Sequence, residues 1–89
     1  MSAPYEIGRN ILIQTVTKIL TGRLETVTTG ELVITSAAWI ADTGRYTNAV
    51  ATGIFSEVEV YPKDAKVIVN RASIIDAMHA NWELPSSQK

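Results

Sequence analysis

The sequence predicts an all-β fold, a small and strongly bent antiparallel barrel, and three observations predict it. Residues 11–40 form one long run rich in Thr, Val and Ile, whose branched Cβ suits a pleated surface better than a helix. That run is interrupted at Gly22 and at Thr28-Thr29-Gly30, where a strand can bend or reverse. Shorter apolar segments follow at 54–61, 66–70 and 74–80, set apart by Pro62-Lys63-Asp64 and Arg71-Ala72-Ser73, which are turn and corner signals.

The elements follow in order. Residues 1–10 read as an arm in which Ser2 and Pro4 open a single helical turn that Gly8 and Asn10 break. The first strand starts at Asn10 and carries Leu12, Val16 and Leu20 on one face, with Ile11, Ile13 and Ile19 on the other. Both faces are partly apolar, which suits a strand bent round a core or held between two surfaces. Gly22 predicts a sharp bend or hairpin, and Gly30 supplies positive φ to the next turn. Glu31–Ala41 is a strand with Leu32, Ile34, Ser36, Ala38 and Ile40 facing one way, and Val33, Thr35, Ala37 and Trp39 the other. Residues 42–53 read as an extended loop, and Ile54–Tyr61 alternates again. Lys66–Asn70 is a short strand. Ile74–Ala80 has the composition of either a strand or a short helix. The tail, 81–89, is polar and is expected to fray.

Length and composition bound the function. Eighty-nine residues make one domain, and 46% apolar content is enough to fill a core. Eight basic and nine acidic residues leave a net charge of −1, so no global field favours sequence-independent nucleic-acid binding. The absence of cysteine excludes disulfides and thiolate metal sites. The segment MSAPYEIGRN has no apolar signal core, and no run approaches the roughly 20 apolar residues of a membrane helix. A cytoplasmic protein without a membrane partner is the expectation.

No nucleophile elbow, phosphate loop or His-Glu-x-x-His pattern is present. His79 and Asp76 lie at i, i+3, close together on a helix but on opposite faces of a strand, and a solvated peripheral His is expected. Asp42 and Asp64 read as turn side chains. The expectation is therefore no enzyme, no metal site and no cofactor. Arg45 and Tyr46 in the 42–48 loop could stack a base and meet a phosphate; an ordinary loop with Asp42 and Arg45 paired is the alternative. Trp39 serves as core, subunit contact or stacking platform. Trp82 is best explained by docking of the C-terminal segment on its own barrel or on a neighbour.

Val67-Ile68-Val69-Asn70-Arg71-Ala72-Ser73-Ile74-Ile75 is the most distinctive segment: an apolar strand, a basic residue, two small residues, then apolar again. With residues 10–40, where an apolar strand leads to Gly22-x-Leu24, a turn and a third strand, it resembles the Sm-like family of Sm, LSm and Hfq proteins, in a form similar to members of phage origin. The resemblance covers most of residues 5–80 and implies a five-stranded SH3-type barrel after a short N-terminal helical turn. It treats 42–62 as an insertion between strands three and four, and it makes Ile74–Met78 strand five. It also implies a homo-oligomeric ring of five to seven copies, in which strand four of one copy pairs with strand five of the next through Val67, Ile68, Val69, Ile74, Ile75 and Ala77. RNA would meet the pore or face at Arg71, with Asn70 beside it, and at Arg45 and Tyr46. Where the family holds a uridine with an Asp, an aromatic or His, and Met-Asn, this chain has Thr28, Gly30, Glu31 and Leu32. The alternative function is a structural or protein-interaction ring without nucleic acid.

Overall fold

The computed structural model describes residues 4–89, so the expected role of Ser2 lies outside the described residues. The fold is a small all-β, barrel-like globule built on one antiparallel sheet of six strands. These are β1 (Asn10–Thr15), β2 (Ile19–Val27), β3 (Glu31–Asp42), β4 (Glu57–Val60), β5 (Val67–Asn70) and β6 (Ile74–Ala80), with one helix, α1 (Tyr46–Thr52). The strand order is β4-β3-β2-β1-β6, and β5 pairs with β3. Consecutive β5 and β6 turn a corner through a 3-10 turn at Arg71–Ser73 and do not pair with each other, so the sheet is not closed. A turn closed by the Arg9 N–H on the Glu6 carbonyl stands where a helical turn was expected.

The expected continuous strand over 10–20 is two strands. They reverse at Val16-Thr17-Lys18, a turn without Gly, Pro or Asn. Thr15 makes that turn possible: its Oγ1 accepts from the Lys18 N–H at 2.9 Å, and its own N–H donates to the Lys18 carbonyl at 2.7 Å. Thr28 repeats the device, its Oγ1 accepting from the Glu31 N–H at 3.0 Å. Gly30 is therefore not the source of the second turn. It has no positive φ, and a Cβ there would meet nothing within 4 Å. Gly30→Ala should leave stability unchanged or raise it by about 0.4–1 kcal/mol through the unfolded chain, read as an equal or higher urea midpoint.

Gly22 is not a hairpin either; it marks the bend. Thr21 pairs with Ala38 and Arg23 with Thr35, so Gly22 alone faces both Ser36 and Ala37. This is a β-bulge in β3, and Ser36 takes the left-handed conformation (φ 49°) that glycine usually fills at such a site. Before the bulge, β3 pairs with β5 (Glu31–Ile34 on Asn70–Val67); after it, with β4 (Ala38–Asp42 on Val60–Glu57). The bulge also overturns the strict alternation expected for this strand. Leu32, Ile34 and Ala37 enter the barrel core, while Ala38 and Ile40 join a second cluster.

The two clusters lie on opposite sides of β1. Ile11 and Ile13 pack inside with Leu20, Leu24, Leu32, Ile34 and Val69. Leu12 packs on the other side with Ala38, Ile40, Ala49, Phe55 and Val58. Residues 42–53 are thus not the extended loop expected: they hold α1, which with β4 covers the outer face of the sheet. Both faces of β1 are buried, as its apolar composition required.

Candidate functional site

Two regions carry the residues that the sequence singled out, and they lie at opposite ends of β3. Asn70 pairs with Glu31 at the start of that strand, and Arg71 follows it. Arg45 and Tyr46 follow Asp42 at its far end, exposed at the start of α1. The structure does not bring these two pairs together into one surface. Asp42 is the expected turn residue, its Oδ1 accepting from the Gly44 N–H at 2.8 Å. It makes no ion pair with Arg45 among the described residues.

At the β5–β6 corner both polar residues do structural work. The Asn70 Oδ1 caps the 3-10 turn by accepting from the Ala72 N–H at 3.0 Å. Arg71 is half-buried; its guanidinium donates to the Thr28 carbonyl and lies 5.2 Å from the Tyr5 ring centroid. It thereby ties the corner to the β2–β3 turn and to the N-terminal segment. His79 is half-buried and bridging where a solvated ring was expected. Its Nε2 accepts from the Glu6 N–H at 2.9 Å, and its Nδ1 lies 3.2 Å from the Asn10 carbonyl, a pairing that calls for the Nδ1–H tautomer. Asp76 is paired in register with Gln14, away from it.

The six residues expected at a subunit contact divide in two. Val69 is buried in the chain's own core, and Val67, Ile74 and Ala77 pack against that core. Ile68 and Ile75 point outward, at 65% and 61% exposure, and Met78 on β6 joins them at 40%. Among the described residues β5 pairs only with β3, and β6 only with β1, so each has one free edge. Met78 was not singled out in the sequence; its place on a strand opposite Leu12, outside the barrel core, is a matter of register.

Trp82 docks on its own chain. The indole Nε1 donates to the Val50 carbonyl at 3.0 Å, and the ring meets Phe55 edge-on with centroids 5.6 Å apart. The Asn10 Nδ2 donates to the Trp82 carbonyl. Beyond it the tail is not frayed at its end: Val58 and Lys89 exchange two backbone hydrogen bonds, of 2.9 and 3.0 Å. Trp39, at 40% exposure, lies between Leu20 of β2 and Glu59 of β4.

Among the described residues there is no group of three or more His, Cys, Asp or Glu that could hold a metal, and no helix is long and apolar enough to cross a membrane. Comparison of the chain with models of protein families, with curated proteins and with solved structures finds no match.

Proposed function

We propose that this chain is a ring-forming subunit of Sm-like type, acting as a protein-assembly module and not as an enzyme. The β5 edge of one copy would pair with the β6 edge of the next. The observation that carries the reading is the pair of free strand edges, each bearing an exposed isoleucine, Ile68 on β5 and Ile75 on β6. Free edges invite strand addition unless something covers them, and ring closure satisfies both at once. The bent β3 and the tight 3-10 corner between β5 and β6 support the family resemblance.

Solution mass by light scattering tests the ring. A mass of five to seven times 9.7 kDa is expected, and a monomer at micromolar concentration would refute it. Ile75→Lys should dissociate the ring while leaving the urea midpoint of the subunit nearly unchanged, because Ile75 is exposed in the single chain. Ile74→Lys would not discriminate, since Ile74 packs against the subunit's own core.

RNA contact at Arg71 is the second reading, favoured by one observation: the residue is only half-buried, and its guanidinium spends a single N–H on Thr28 in an exposed hydrogen bond. Against it, Asn70 and Arg71 already hold the corner, and Arg45 and Tyr46 lie at the other end of β3. Titration with oligo-U and oligo-A at falling salt decides between them. Phosphate contacts strengthen as salt falls, so absence of binding at low salt for both oligomers leaves the assembly role.

A further inference from the structure

The β3 bulge has a second consequence, a cleft of about 970 Å³ whose wall contains Ser36 itself. Val60, the last residue of β4, and Tyr61–Lys63 after it form one side, and Glu83–Ser86 of the C-terminal segment form the other. This volume is in the range of small-molecule sites, which combine an apolar lining with a few convergent polar groups. The apolar part here includes Val60, Pro62 and Leu84; the charged part is Arg23, Lys63 and Glu83.

Two cations and one carboxylate line the cleft. The Arg23 Nε is 3.1 Å from Glu25, but Lys63 has no ion pair among the described residues. Ser36 is the one non-glycine residue with positive φ among those described. Backbone strain of this kind concentrates where a surface is shaped for a ligand. The tail wall is held in place by Trp82 and by the Val58–Lys89 pair, so the cleft is a product of the tertiary fold.

We propose that this cleft binds a small organic anion, its carboxylate or phosphate meeting Lys63 and Arg23 and its apolar body lying on Val60, Pro62 and Leu84. The site stands independently of ring assembly. Amide-resolved NMR titration of the full chain with 4-phenylbutyrate and with its neutral amide tests it. Shifts are expected to centre on Ser36, Ala37, Val60–Lys63 and Glu83–Ser86. The carboxylate should bind roughly fivefold more tightly than the amide, the scale of a solvent-screened ion pair. Lys63→Gln, at an exposed position, should reduce that preference without unfolding the domain. Shifts centred elsewhere, equal affinity for the two probes, no shifts at millimolar probe, or an undiminished preference in Lys63→Gln would each overturn the proposal.

Discussion

Trp82→Ala is expected to lower folding stability by about 3 kcal/mol, at the lower end of the range for truncating a packed aromatic because the ring is only half-buried. The loss has three parts. The indole leaves the outer cluster and its edge contact with Phe55. The Val50 carbonyl near the end of α1 loses its donor. The tail loses the anchor that precedes its pairing with β4. Chemical unfolding followed through Trp39 fluorescence would measure it, and a change below about 1 kcal/mol would mean that the indole is not docked as described.

Gly53→Ala should act on the same joint from the other side. Gly53 ends α1 with φ 75°, and a Cβ built there falls 2.5 Å from the Trp82 ring. Left-handed backbone alone costs a non-glycine residue about 1–2 kcal/mol, and the ring must also move. In the Trp82→Ala background the ring that the Cβ would strike is gone while the backbone cost stays, so the two losses should be less than additive.

Gly22→Ala is expected to cost about 1–3 kcal/mol, the usual range for overpacking a filled interior. Its Cβ would lie 3.0 Å from both the Ile34 Cβ and the Thr35 carbonyl oxygen. One of these is backbone, so a rotamer change cannot relieve the contact. A urea midpoint equal to that of the parent would show that β2 and β3 do not approach so closely at the bulge. Gly30→Ala, on the next turn, is the control: the same substitution in open space.

Much of the fold was legible in residue chemistry. The Thr, Val and Ile content of residues 11–40 does form three strands, Gly22 does mark the bend, and Ile74–Ala80 is strand and not helix. The first reversal was hidden because Thr15 closes it with a hydroxyl, and Thr is also the residue expected inside a strand. The sides of β3 were hidden because alternation predicts faces only in an unbroken strand. One extra residue at Ser36 sends Ala38 and Ile40 to the opposite side of the sheet.

The candidate sites divide in the same way. Arg71 and Asn70 could be located at a corner from Asn70-Arg71-Ala72-Ser73, since small residues beside an apolar strand permit a tight turn. Their capping and tethering roles depend on the Ala72 N–H, the Thr28 carbonyl and the Tyr5 ring, the last two of which are remote in sequence. By itself the sequence determined the β class, the bend at Gly22 and the apolar edge segments, because these follow from local backbone preference and side-chain shape. Only the tertiary structure decided which isoleucines face outward, that Arg45 and Tyr46 stand apart from Arg71, and that the tail walls a cleft. Those outcomes depend on a register shift of one residue and on where Trp82 lands, and both are settled by packing between segments far apart in the chain.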